Sequence, residues 1–328
     1  MMKFYETHFD EYVSSVEKNN LHPKIEKHIF SKFPNNIKDL KNVLFYGPPG
    51  VGKYSQMLSC VKKYSPSDLK YEKRFTITFN KQDYHFKISD IHYEVDMGIL
   101  GCNSKLLWHD IYQQIIDVIS AKNDKHGIIV CKNFHSIHNE LLEIFYSYMQ
   151  QYNHPNLNIQ IKYILVTEHL CFIPNNILQC SRIVNVKRPS TPDYSVLGST
   201  EIIEPSCILN MKEIKGMKYI SDEQHTPSET FDIVCNELLT QMENYQSLHL
   251  LQFRDTLYDI LVYNLDVTEC FWDILTHFIR SGQLTDKSIS DILLKTHSQL
   301  KYYNNNYRPI YHLETLFITI INHIQSNK

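Results

Sequence analysis

The sequence predicts an α/β domain built on a parallel sheet, followed by an all-helical domain. Three observations predict it. Near-continuous apolar runs at 42–46, 127–131 and 161–166 are separated by stretches of helical periodicity, the pattern of buried parallel strands covered on both faces. Three of the nine glycines fall between Gly47 and Gly52, directly after the first of those runs and before a helical stretch. From Ser228 to Lys328 the periodicity is helical throughout. At 328 residues the chain is too long for one ordinary core, so two or three domains are expected. The boundaries fall at 1–188, 189–227 and 228–328.

In chain order, residues 1–41 are polar and helical in pattern, with His22 to Phe30 spaced as a helix leading into the strand Asn42–Tyr46. Tyr54 to Lys63 reads as a helix with Met57, Leu58 and Val61 on one side. Arg74–Phe79 and Tyr84–Ile88 alternate with period two around Asn80-Lys81-Gln82-Asp83 and read as a hairpin. Then come a helix over Leu106–Ile119, a strand Gly127–Cys131, a helix Asn139–Tyr152 and a strand Ile161–Val166. Segment 189–227 holds Pro189, Pro192, Pro205 and Pro227 and a single helical stretch around Cys207–Tyr219, which marks a reduced connecting unit. Beyond it, Phe253, Leu257, Ile260 and Leu261 form one apolar stripe, and Leu313, Leu316, Phe317, Ile320 and Ile324 another. Such stripes form either the core of a self-contained bundle or a docking face for partner chains.

The glycine-rich segment carries the chemistry. Gly47-Pro48-Pro49-Gly50-Val51-Gly52-Lys53, between a strand and a helix, is the body of a P-loop. Its backbone N–H groups and the Lys53 ammonium would face polyphosphate oxygens at a helix N-terminus, so a nucleotide is the expected ligand. The pattern wants Ser or Thr after the lysine, to put a hydroxyl on Mg²⁺. Here that residue is Tyr54, and Ser55 comes one place late, about 100° further round the helix. Phosphate binding is therefore expected to be intact and metal placement impaired.

Bulk composition limits the alternatives. Hydrophobic content of 43% and charged content of 21% are those of a globular protein. A net charge of −3 is unusual for a chain that binds polyanions alone, so any nucleic-acid binding is expected to be shared with other chains. No apolar run approaches the length of a membrane span, and the first residues lack a signal-peptide hydrophobic stretch, so no membrane role is expected. The eight cysteines are scattered, without a C-x-x-C pair, and read as reduced core thiols in a reducing compartment.

Taken together, the order of P-loop domain, short lid and all-helical C-terminal domain resembles an AAA+ clamp-loader small subunit of the replication factor C type, most like the ring-end subunit with a degenerate ATP site. Four segments carry the resemblance: Phe45 to Lys53; His92-Tyr93-Glu94-Val95-Asp96 with Gly101-Cys102-Asn103-Ser104; Ile173-Pro174 to Pro189-Ser190; and Ile310-Tyr311-His312-Leu313-Glu314. The resemblance implies an α/β P-loop AAA+ sheet domain with a shortened lid and a helical collar. It implies a place in a hetero-pentamer with other clamp-loader subunits, and contact with a sliding clamp and primer–template DNA. A cellular member would work in the nucleus, and a member from a large DNA virus in a cytoplasmic replication site.

Departures from the family pattern bear on hydrolysis. Active members carry Asp-Glu at the end of the strand 127–131, one carboxylate organising Mg²⁺ and the other polarising the attacking water; this chain has Lys132 and Asn133. Asp124 and Glu140 lie at the wrong distance along the chain, and the sensor position falls near Thr167-Glu168. The family also presents Ser-Arg-Cys, whose arginine enters a neighbour's site. Here the residues are permuted as Cys180-Ser181-Arg182, so Arg182 is the candidate trans finger, whereas an ungapped alignment puts Gln179 there. Lys105 and Lys132 are candidates for DNA contact, and Trp108 and Tyr112 for clamp anchors or core. Two further readings stand beside a non-hydrolysing clamp-loader subunit: a stand-alone P-loop ATPase using Glu94 and Asp96, and a scaffold without nucleotide.

Overall fold

In the computed structural model the described residues are 8–153, 157–189, 193, 228–263, 265–303 and 308–326. The chain divides into two compact units, Met1–Gly216 and Met217–Lys328. The helix expected around Cys207–Tyr219, and nearly all of the segment 189–227, lie outside the described residues.

The first unit is a seven-stranded sheet in the order β2-β3-β4-β5-β6-β1-β7. Its strands are β1 (Asn42–Tyr46), β2 (Lys73–Phe79), β3 (Gln82–Ile88), β4 (His92–Asp96), β5 (His126–Lys132), β6 (Gln160–Thr167) and β7 (Ser181–Asn185). The five from β4 to β7 in spatial order are parallel, and the β2–β3 hairpin joins antiparallel at the β4 edge. The expected fold class, a P-loop α/β sheet followed by an all-helical region, is thus observed. The hairpin connection is shorter than expected: Thr78 pairs with Asp83 and Phe79 with Gln82, leaving only Asn80 and Lys81, both at positive φ, in the turn. Both central residues at positive φ match the twist of a two-residue hairpin.

Side-chain alternation splits the sheet into two apolar faces. Tyr93 and Val95 of β4 and Ile129 and Cys131 of β5 pack with helices α4 (Ser104–Ser120) and α5 (Asn139–Gln151). Ile128 and Val130 of β5 face the other way, with α1 (Phe9–Lys18), α2 (Pro23–His28) and α3 (Lys53–Lys62). The remaining short helix of this unit, α6 (Asn175–Gln179), leads into β7. Helix α1 is tied to α3 by the Lys62–Glu17 ion pair and by the edge-on contact of Tyr12 with Tyr54.

The second unit holds α7 (Ser228–Glu243), α8 (Leu250–Val262), α9 (Val267–Arg280), α10 (Asp286–Tyr303) and α11 (Ile310–Ser326). Both sequence stripes point inward: Phe253, Leu257 and Ile260, and Leu313, Leu316, Phe317, Ile320 and Ile324, lie in one buried cluster, with Leu261 partly buried against it. These stripes are bundle core, not a docking face. In the fourth family-like segment, Leu313 is buried and Glu314 is ion-paired with Arg254 of α8. Cys60, Cys131, Cys171, Cys180, Cys235 and Cys270 are free thiols. No described helix is long and apolar enough to cross a membrane.

Candidate nucleotide site

The loop between β1 and α3 is built by backbone geometry that side chains oppose. Gly47, Gly50 and Gly52 have φ of 155°, 68° and 92°. At Gly47 the constraint is also steric, since a Cβ would lie 2.1 Å from the Val186 carbonyl oxygen. Gly52 is the residue preceding α3, which opens at Lys53 and follows a loop that includes Pro48 and Pro49. Val51 is buried, and its carbonyl oxygen meets Nε2 of the buried His22 at 2.7 Å. The Lys53 ammonium donates to the carbonyls of Gly47 at 2.7 Å and Pro48 at 2.5 Å. The cation therefore sits within the arc of its own loop, where phosphate oxygens bind in P-loops.

Tyr54 does not supply a metal-ligating hydroxyl. Its Oη donates to Glu94 Oε1 at 2.7 Å, across to β4. Ser55, one position on, is half-buried. Parity explains the meeting. Lys132 continues the Ile128–Val130 face of β5, and Glu94 alternates with the opposite-facing Tyr93 and Val95, so both side chains stand on the α3 side of the sheet. Lys132 Nζ lies 3.2 Å from Glu94 Oε2 and 5.4 Å from the centre of the Tyr54 ring. His92 Nε2 lies 3.4 Å from Glu94 Oε1. Glu94 is 1% exposed, and burial alone would raise its pKa. The neighbouring His92, Lys132 and Tyr54 hold it below the usual carboxylate value instead. Burial and the Glu94 carboxylate push the Tyr54 phenol well up, so it remains a donor.

The second departure is occupied too. Asn133, at φ 49° just past β5, donates from Nδ2 to Asp96 Oδ2 at 2.9 Å, while Asp96 Oδ1 accepts from the Gly98 N–H at 3.0 Å. Glu94 and Asp96, the two acids that a stand-alone ATPase would have to use, are thus both engaged. Asp124 and Glu140 are exposed. Where the sensor position is expected, Thr167 is fully buried and donates to the His169 carbonyl, and Glu168 faces His135 at 3.6 Å. A catalytic P-loop site would also hold Mg²⁺. The residues here do not fit it: the hydroxyl position is a phenol bonded elsewhere, and the carboxylate position is an ammonium.

Other candidates fall elsewhere. Trp108 and Tyr112 are fully buried in the α4–α5 core, stacked with ring centroids 6.4 Å apart, so neither is a surface anchor. Lys105 is exposed at the start of α4, whereas Lys132 is drawn to Glu94. Arg182 lies within β7, its guanidinium 4.9 Å from the centre of the Phe33 ring, and Gln179 is exposed at the end of α6. Sequence reasoning missed His22 as a neighbour of the loop and His92 as a partner of Glu94; no short-range pattern marks contacts that are set by tertiary folding.

No family model and no curated protein matches the chain. Solved structures resemble it at low identity. A single-residue variant of RuvB from Thermotoga maritima is 13% identical, covering 80% of this chain and 73% of that one, with a TM-score of 0.33. The RuvB Holliday junction branch migration motor of the same organism gives 13%, the same coverage and 0.32. The replication initiator DnaA bound to AMPPCP and single-stranded DNA is 11% identical, covering 92% of this chain and 98% of that one, at 0.42. Likenesses this distant carry no residue roles across.

Proposed function

We propose that the chain is a nucleotide-holding, hydrolysis-deficient subunit of an AAA+ clamp loader of the replication factor C type. The observation that carries the reading is the meeting of Tyr54 and Lys132 on Glu94. Of the three residues that depart from the catalytic pattern, Tyr54 and Lys132 are not scattered losses; they form one polar cluster with Glu94 beside an intact loop and Lys53, while Asn133 is bonded to Asp96. Phosphoryl transfer rests on positioning, metal and charge stabilisation, and this cluster removes the metal ligands and leaves no base. ATP or ADP would then serve as a structural ligand.

In this reading the other loader subunits of a hetero-pentamer and the sliding clamp are its partners. Primer–template DNA is touched with the help of residues such as Lys105, each subunit neutralising few phosphates, which suits a net charge of −3. A trans role for Arg182 would require it to leave the Phe33 ring on assembly. The test is co-expression of the tagged chain with candidate loader subunits and the clamp. The expected result is a stoichiometric complex that loads the clamp onto primed DNA and fails to do so when this chain is omitted. A monomer with loading unaffected by its omission would contradict the reading.

A further inference from the structure

We infer that the Lys132 ammonium is a built-in cation of the nucleotide site, so that a nucleoside di- or triphosphate is held without a divalent metal. The inference rests on the reading of the loop as nucleotide-holding, and goes beyond it by assigning Lys132 a role in place of the ion.

Three features place that charge. Residue 54 is where a P-loop offers its metal-binding hydroxyl, and Lys132 Nζ lies 5.4 Å from the ring that stands there. Residue 132 is where the metal-organising carboxylate of the family would stand, and strand parity turns it to the α3 face. The charge is also fixed, because Glu94, 1% exposed, holds Nζ at 3.2 Å while Tyr54 holds the other carboxylate oxygen. An ammonium has three donors, and its contact with Glu94 Oε2 is an ion pair rather than a hydrogen bond, so donors remain for phosphate oxygens. The Lys132 side chain is 29% exposed, so they remain accessible. A divalent ion entering the same space would meet an ammonium, and the carboxylate beside it, Glu94, is already engaged by that ammonium and by the Tyr54 hydroxyl.

The experiment is equilibrium binding of a fluorescent ATP analogue to the full chain, in EDTA and in excess Mg²⁺. Dissociation constants that agree within about twofold are expected, with Lys132→Met weakening binding in EDTA by about tenfold, the loss of one charge-assisted contact. Lys132→Arg should recover part of that loss, and thermal unfolding followed alongside excludes a folding defect. Binding that is lost in Lys53→Ala but is tightened tenfold or more by Mg²⁺, or is indifferent to Lys132→Met, would overturn the inference and leave the nucleotide reading standing. Absence of any saturable binding by the unaltered chain would overturn both.

Discussion

Replacing Glu94 by alanine is expected to destabilise the sheet domain by about 3–5 kcal/mol, the usual cost of removing one partner from a buried charged cluster. Three groups converge on that carboxylate: the Tyr54 hydroxyl, the Lys132 ammonium and the His92 ring, which is itself fully buried. Without Glu94 the phenol loses its acceptor and the lysine its counter-charge, and buried polar groups left without partners are costly. The chain has two tryptophans, Trp108 buried in this unit and Trp272 56% exposed in the other. Urea unfolding followed by fluorescence in a Trp272→Phe background therefore reports this unit alone. The milder Glu94→Gln keeps the shape and isolates the charge. Because the folded protein holds Glu94 below its ordinary pKa, the stability contributed by the charge is complete above the ordinary carboxylate range and is lost as pH falls through the folded value. The gap between wild type and Glu94→Gln should thus be full at neutral pH and shrink as the pH falls below the ordinary carboxylate range. A gap that is constant with pH would mean that the carboxylate charge does not stabilise the fold.

Trp108→Ala is the second large effect, about 3–5 kcal/mol, as for other fully buried aromatics. Trp108 is 0% exposed and packs against Tyr112, Phe145 and Tyr148, with ring centroids at 6.4, 5.2 and 6.2 Å. The void left behind could not collapse without moving α4 or α5 off the sheet. Far-ultraviolet circular dichroism should show a lowered unfolding midpoint. A surface anchor would behave otherwise, leaving stability within about 0.5 kcal/mol and weakening only association.

Tyr112 and Trp108 illustrate how far the sequence could be read. Helical periodicity located α4 to within a few residues but left open whether its aromatic residues were core or anchors, since both uses favour large rings. The P-loop, its flanking strand and helix, and the alternation that makes a parallel sheet were legible because each depends on local spacing. The hairpin was legible in type, but its turn was drawn too long. Asn80-Lys81 lacks the glycine that marks a two-residue turn, and strand pairing imposed positive φ on a lysine. At the site, the loss of hydroxyl and carboxylates could be read at Tyr54, Lys132 and Asn133. Their new partners could not: Tyr54 and Glu94 are 40 positions apart, and only the order of β4 beside β5 brings Lys132 to the same carboxylate.

The most direct test of a loop that holds nucleotide without cleaving it is the nucleotide content and ATP turnover of the purified chain, beside a Lys53→Ala control. Bound ATP or ADP that is lost in the control, with hydrolysis no faster than background, is the predicted result. Steady turnover abolished by Lys53→Ala would contradict it, because it would require a metal and a base at a site where Tyr54, Lys132 and Asn133 leave room for neither.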